Sequence, residues 1–455
     1  MSRLLLLQLD GLSRQELESN LPSLPCLRGL LNTSHRLHTT YSGLPSTTPA
    51  FQGEFFYGVR QCVPAWYFRE AASGRLAQLI YRDVSIRREQ QLSSRGASLL
   101  RGGAAYTCLL SGGAAQVHFG AGQTRQEYLA QLTRLWRQGP DMLRRSLKEA
   151  GLGLAQTCSA RLTRQQFWDE IRFLPKRTLL HAMMNEYFRV LIPQDMAAGR
   201  PVLYANFLSY DCLAHLRGPD SEYARQSLPE IDRVLEELVA AANQFGYQVW
   251  VFSDHGQEST AAYDLRGSGV LAERLGVKAL GADHGPVAHL YFRSQRKLQL
   301  ARRLVEEAGV PQVMFRDEAG AKVLNRHGIV RLPQDWPAVL GEHHPFGPEA
   351  GLDLARMAYH PEAGQLIALG FFEGQRVTFL REMGSHGGAG PLETQAFALL
   401  PEQVVLRGSA RGLDGPVARP LDLRRAALFA LEGRTSSETF SRAVRRPGAV
   451  RQRHC

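Results

Sequence analysis

The stretch Tyr247-Gln-Val-Trp-Val-Phe-Ser-Asp-His-Gly256 constrains this chain more than any other. Gln248 to Phe252 is short, rich in β-branched and aromatic residues and bounded by Gly246 and Gly256, so it reads as a buried strand. Such a strand needs no charge at its end, yet Asp254 and His255 follow at once. In a parallel sheet that position is the ligand crevice, outside the carboxyl ends of the strands. A single Asp-His-Gly is more often an ordinary turn, so the argument depends on whether the pattern recurs.

It recurs along the chain. Leu4 to Leu9 is an apolar run, broken only by Gln8, that ends in Asp10-Gly11. Val202 to Leu208 delivers Ser209-Tyr-Asp-Cys-Leu-Ala-His215, whose Asp211 and His215 share one side of a helical turn. A helix follows, with Ser227-Leu-Pro-Glu230 as a capping-box start and an apolar face through Ile231, Val234, Leu235 and Leu238. It leads back to the Gln248 strand, giving the β-α-β alternation of a parallel sheet. Further on, Gly384-Ser-His-Gly-Gly-Ala-Gly390 presents His386 on backbone that glycine lets pass close to another group.

A strand over Arg36 to Tyr41 precedes Gly43-Leu-Pro-Ser-Thr-Thr-Pro-Ala-Phe51. Thr48 reads as an N-cap with Pro49 at the first helical position, Phe51 and Phe55 turned inward together and Gly58 as the stop. A hydroxyl at the positive end of a helix is placed to meet an anion, although capping alone is the commoner role. Strands over Val287 to Phe292, Gln365 to Phe371, Arg376 to Leu380 and Ala396 to Leu400 are expected to extend the core. Asp283 and His284 fall in the turn expected before the first of these. Between Val59 and Arg200 the pattern loosens into amphipathic helices and Gly-rich connections, which we take as an insertion.

Six such ligand-type residues, Asp10, Asp211, His215, Asp254, His255 and His386, offer oxygen and imidazole without thiolate. That chemistry suits zinc, or manganese as the alternative, in a hydrolytic site with open positions. Six ligands are enough for two divalent ions, and paired ions serve phosphoryl transfer by stabilising the entering and leaving oxygens. An ion also lowers the pKa of a hydroxyl, so a threonine can attack as alkoxide.

Size and charge leave this reading open. At 455 residues the chain suits one large elaborated domain or two to three smaller ones. No segment approaches the roughly 20 apolar residues of a bilayer span. The Leu run within Met1 to Leu9 is too short for a signal peptide, so a cytoplasmic protein is expected. Six scattered cysteines without C-x-x-C spacing indicate neither a zinc knuckle nor a disulfide framework. The net charge of +11 favours anionic partners: phosphorylated substrates, nucleic acid or an anionic membrane surface.

The order of these motifs resembles the alkaline phosphatase superfamily, and within it most nearly the nucleotide pyrophosphatase/phosphodiesterase (type I phosphodiesterase) branch. The resemblance implies an α/β three-layer sandwich, with a mostly parallel central sheet, helices on both faces and inserted cap segments. On that pattern residues 1–58, 200–295 and 365–432 form the catalytic core. Residues 59–199 and 296–364 are a larger and a smaller insertion, and 433–455 is a basic tail expected to be disordered. The resemblance implies one metal held by Asp10, Asp254 and His255 with the nucleophile, and another by Asp211, His215 and His386.

The branch carries Pro-x-x-Thr-x-Pro-Asn around its nucleophile, whereas Pro45-Ser-Thr-Thr-Pro-Ala-Phe51 shifts the second proline and lacks the asparagine. The spacing from Pro45 and to Gly58 selects Thr48; Pro49 would select Thr47. The asparagine's role toward the phosphoryl oxygens is expected to pass to Gln52, Arg60 or helix-start N–H groups. The expectation is a two-metal phosphodiesterase working through a phosphothreonine on a nucleotide, a phosphodiester or a lipid head group. The alternatives are a phosphomonoesterase, a phosphonate hydrolase, a phosphotransferase, or a non-catalytic phospholigand-binding protein.

Overall fold

The computed structural model describes residues 2–136, 140–264, 266 and 269–433. Its centre is a seven-stranded sheet, in spatial order His35–Tyr41, Gln395–Pro401, Tyr247–Phe252, Arg3–Leu9, Val202–Phe207, Ala104–Tyr106 and Gln116–His118. From Tyr247–Phe252 to Gln116–His118 every pairing is parallel, and only Gln395–Pro401 runs against its neighbours. The all-apolar strands follow from burial on both faces. Leu5, Leu7, Leu9, Val249 and Val251 face one core with the helix Leu228–Phe245, while Leu4, Leu6, Trp250 and Phe252 face the other with the helices Thr48–Tyr57 and Pro420–Glu432. This is the α/β layering expected from the sequence.

Ala104–Tyr106 and Gln116–His118 bring part of the 59–199 segment back into the central sheet, and the helices Arg125–Trp136, Pro140–Ser159, Arg164–Thr178 and Met184–Ala197 follow. The strands Val287–Phe292 and Leu366–Leu369, expected in the core, instead join an antiparallel six-stranded sheet spanning Ala279 to Leu369. The cause is local. Val287–Phe292 pairs with Ala279–His284 across the two residues Gly285 and Pro286, a connection that forces antiparallel pairing, whereas a parallel partner requires a long crossover. Asp283 and His284 therefore lie on a strand and not in a turn.

Two capping expectations also change. Thr47, not Thr48, is the N-cap of the helix Thr48–Tyr57, and Thr48 is its first residue. Ser227 precedes the helix Leu228–Phe245 without a side-chain cap; its hydroxyl donates to the Ala224 carbonyl instead. Gly58, with φ of 74°, closes the Thr48 helix in the left-handed region that glycine enters freely. The basic tail from residue 434 lies outside the described residues.

The two sheets are joined by a fully buried guanidinium. Arg419 donates to both oxygens of Glu54 at 2.6 and 2.9 Å, to Glu349 at 2.8 Å and to Asp353 at 3.3 Å. Glu54 belongs to the Thr48 helix, and Glu349 and Asp353 to the helix Gly347–Ala358 that covers the second sheet. Removing one member strands buried charges, so Arg419→Ala is expected to lower unfolding free energy by about 3–5 kcal/mol. Denaturant titration of the variant checks this, and a change under 1 kcal/mol would contradict the role given to Arg419.

Candidate active site

Three adjacent strands deliver their acids at one level of the sheet. Leu9 is paired with Phe207 and Gln8 with Phe252, so the residues after each strand, Asp10, Asp211 and Asp254, leave the same edge. Parallel neighbours lie about 4.8 Å apart, which brings side chains from consecutive strand ends within reach of a common ion. Asp211 and His215 sit on the helix Ser209–Arg217, and His386 follows the short strand Gly384–Ser385, which pairs with Glu258–Ser259 just beyond His255. Gly11 makes the convergence sterically feasible. Its φ is 70°, and a Cβ there would come 2.5 Å from Asp211 Oδ1.

The six residues singled out as ligands meet. One group, Asp10, Asp254 and His255, and another, Asp211, His255 and His386, each present ligand atoms within 4.8 Å of one another, and all five side chains are buried. His215 joins the second group, its Nε2 lying 3.5 Å from Asp211 Oδ2. The three imidazoles are oriented alike. Nδ1 of His215, His255 and His386 faces the backbone carbonyls of Gly384, Gly256 and Ser46 at 2.9, 3.0 and 2.8 Å. For His255 and His386 a proton fixed on Nδ1 leaves Nε2 as the free lone pair, which is how metal-ligating histidines are held, whereas against its burial Asp211 and Glu382 raise the His215 imidazole well above its usual range.

The electrostatics of the cluster ask for positive charge. Burial, then Asp254 and Asp211, push the Asp10 carboxyl well above its usual range, and burial with Asp211 pushes Asp254 up to about 7. Burial holds His255 down at about 4, and burial with His255 holds His386 down at about 3, so both are neutral near pH 7. Burial opposes ionisation of Asp211, but His215, His386 and His255 outweigh it and hold its carboxyl far below the usual range. Asp254 Oδ2 is buried without a hydrogen-bond partner. Carboxylates raised by mutual repulsion, an orphaned oxygen and neutral imidazoles presenting Nε2 fit divalent cations.

Thr48 Oγ lies 3.5 Å from His255 Nε2, the imidazole common to both groups. Its position is set by aromatic packing: Phe51 and Phe55 sit 5.8 and 5.2 Å, ring to ring, from Phe252, two residues before Asp254. Thr47 makes no side-chain cap bond, and its hydroxyl is buried without a partner. The helix start is thus uncapped where it meets the acids and imidazoles.

The two side chains expected to replace the missing asparagine are engaged elsewhere. The Gln52 amide donates to Tyr204 Oη at 3.1 Å and its oxygen accepts the Leu109 and Leu110 N–H groups at 3.0 Å, because the bend after Tyr106 offers two amides with no sheet partner. Arg60 is drawn to Glu349 at 3.3 Å and Glu54 at 3.9 Å, in the Arg419 cluster. Asp283 accepts the Gly269 N–H at 2.6 Å, while His284 stacks on Trp66 at 5.5 Å and feels the charges of Glu382, His386 and His215.

Four residues around the cluster carried no motif. Asn206 donates to Asp10 at 2.5 Å, Gln257 to Asp211 at 2.6 Å, Glu382 faces His215 Nδ1 at 3.1 Å, and Ser46 donates to Glu393 at 3.1 Å. One signal was available for Asn206. It breaks its apolar strand directly opposite Gln8, which breaks the neighbouring one.

The layering of helices on a mostly parallel sheet is alkaline-phosphatase-like, and two candidate metal-ligand groups lie at the edge of that sheet. Residues 144–369 match the family model of type I phosphodiesterase / nucleotide pyrophosphatase. No curated protein matches the chain in sequence. Among solved structures, phosphonoacetate hydrolase from Sinorhizobium meliloti in complex with phosphonoformate is 17% identical, covering 94% of this chain and 96% of its own at a TM-score of 0.52. An inactive variant of murine ectonucleotide pyrophosphatase / phosphodiesterase 5 in complex with AMP is 11% identical over 95% of each chain, with a TM-score of 0.53. The human counterpart is 13% identical over 94% of this chain and 95% of its own, at 0.51. At these identities the likeness is one of fold. No helix among the described residues is long and apolar enough to cross a membrane.

The raised Asp254 carboxyl gives a signed prediction. A group whose pKa rises on folding contributes stability below its unfolded value, near 4, that is lost as pH climbs through its folded value. With metal chelated, Asp254→Asn is therefore expected to be more stable than wild type at pH 8, by on the order of 2 kcal/mol. The gap should open between about pH 4 and about 7. Thermal melts of both proteins with excess chelator check it; a variant no more stable than wild type at pH 8 would show that the carboxylate is not strained.

Proposed function

We propose that the protein is a two-metal phosphodiesterase in which Thr48 is the nucleophile. The observation that carries the reading is the Thr48 hydroxyl 3.5 Å from Nε2 of His255, the imidazole on which both ligand groups converge. Asp10, Asp254 and His255 would hold one ion, and Asp211, His215 and His386 the other, zinc or manganese by the donor set. Such ions supply Lewis acidity, lowering the pKa of a hydroxyl and offsetting charge on entering and leaving oxygens.

Thr48 Oγ attacks phosphorus, the Oγ–P bond forms and the bond to the leaving alcohol or phosphate breaks. Water then hydrolyses the phosphothreonine and restores the hydroxyl. The uncapped start of the Thr48 helix and the partnerless Thr47 hydroxyl support binding of the phosphoryl oxygens there, in place of the branch's asparagine. The Trp66–His284 stack beside the cluster offers a flat face to an aromatic leaving group, which favours a nucleotide or aryl diester over a bare monoester. The likeness to phosphonoacetate hydrolase supports phosphonate cleavage as a second reading.

Thr48→Ala is expected to reduce turnover of bis-p-nitrophenyl phosphate by at least about 10³-fold with fold and metal content unchanged, as measured by steady-state kinetics and elemental analysis. Activity near the wild-type level would remove Thr48 from the mechanism and direct attention to Thr47. Rates on phosphonoacetate and on p-nitrophenyl phosphate in the same assay rank the diester, phosphonate and monoester readings.

A further inference from the structure

Away from the catalytic cluster, a cavity of about 310 Å³ opens between the helix Pro140–Ser159, the turn Leu179–Met183 and the start of the helix Leu228–Phe245. Its charged wall sets Arg144, Arg145, Lys148 and Arg233 against Glu149 and Glu230. Glu149 accepts from Arg177 at 2.6 Å and Glu230 lies 3.1 Å from Arg189, both cations from outside the lining; within it Arg233 and Arg145 also reach Glu230, at 2.5 and 3.6 Å, and Arg145 lies 3.3 Å from Glu186. Lys148 has no ion-pair or hydrogen-bond partner among the described residues. The cavity is therefore a concentration of positive charge on a protein whose net charge is +11.

His181 supplies the second, independent observation. It lines the cavity, is 7% exposed, and its Nδ1 has no hydrogen-bond partner, while its Nε2 lies 3.9 Å from Glu149. A buried imidazole nitrogen left unpaired is costly, and the ring that carries it lines the cavity. His181 sits in a one-turn π-helix, Leu179–Met183, a rare distortion that recurs at functional sites. The remaining wall, Leu152, Ala182, Pro229 and Gln226, is apolar but for one amide and suits a small organic group.

We propose that this cavity binds a phosphate dianion, either free or as the end group of a small phosphomonoester. Cationic donors arriving from two helices match the several oxygens of a dianion better than a carboxylate, which presents only two. The imidazole gains the partner it lacks, and the apolar wall accommodates whatever the phosphate is attached to. None of the metal-ligand candidates lines this cavity.

The test is calorimetric titration of the metal-loaded protein with inorganic phosphate, and separately with AMP, comparing wild type with Lys148→Gln/Arg233→Gln. Lys148 and Arg233 are exposed at the rim, so the variant is expected to fold and to keep wild-type turnover. The expected result is two binding events in wild type, one weakened at least tenfold by the double substitution and retained when the metals are chelated. The His181 ring resonances should shift on phosphate addition in wild type and stay fixed in the variant. Tighter binding of AMP than of phosphate at the chelation-resistant site identifies a phosphomonoester, and equal or weaker binding identifies free phosphate. A single event that chelation abolishes, or affinities and His181 resonances insensitive to the substitutions, overturns the proposal.

Discussion

Three buried carboxylates crowded at one edge of a parallel sheet are the constraint around which the chain is arranged. Asp10, Asp211 and Asp254 stand at adjacent strand ends because the strands are in register, and burial makes their mutual repulsion expensive. Much of the nearby polar structure serves to hold them. Gln52 donates to Tyr204, Tyr204 to Gln8 at 2.6 Å, and Gln8 to Asp10 at 3.5 Å, so the helix carrying Thr48 is wired through two strands to the first acid. Asn206 and Gln257 brace Asp10 and Asp211 directly. What donors alone cannot supply is net positive charge, and the open lone pairs of His255 and His386 show where cations would supply it.

How legible this was in the sequence depended on the kind of signal. An apolar run that stops at Asp or His is one-dimensional information, and Leu4 to Asp10, Val202 to Asp211 and Gln248 to His255 could be read as strand ends without knowing the partners. Pairing is not one-dimensional. Val287–Phe292 looks like any core strand, and only the two-residue connection to Ala279–His284 reveals that it belongs to a second sheet. Gln52, one helical turn beyond Thr48, was expected to meet the phosphoryl oxygens, but its partners in the fold lie 57 and 152 residues away and no local pattern announces them. Glu382 is an ordinary surface-type residue until the fold brings it against His215.

The second sheet is more than an addition to the core. Its covering helix sends Glu349 and Asp353 to Arg419, which also holds Glu54 on the helix that begins at Thr48. The same sheet places His284 beside the site, against Trp66 from the first insertion. The second sheet and the helix carrying Thr48 are thereby tied to one another by buried ion pairs.

The strand Arg3–Leu9 precedes both of its partners in the chain, yet it lies in the middle of the central sheet, flanked by Val202–Phe207 and Tyr247–Phe252. As the chain leaves the ribosome, its leucines must wait for roughly two hundred more residues before either neighbour exists, and such unpaired apolar segments are prone to associate wrongly. His386 lies later still in the chain, so the last imidazole can join the cluster only after the other five residues have been made. Unpaired apolar chain and an incomplete cluster therefore persist together until these distant segments are in place.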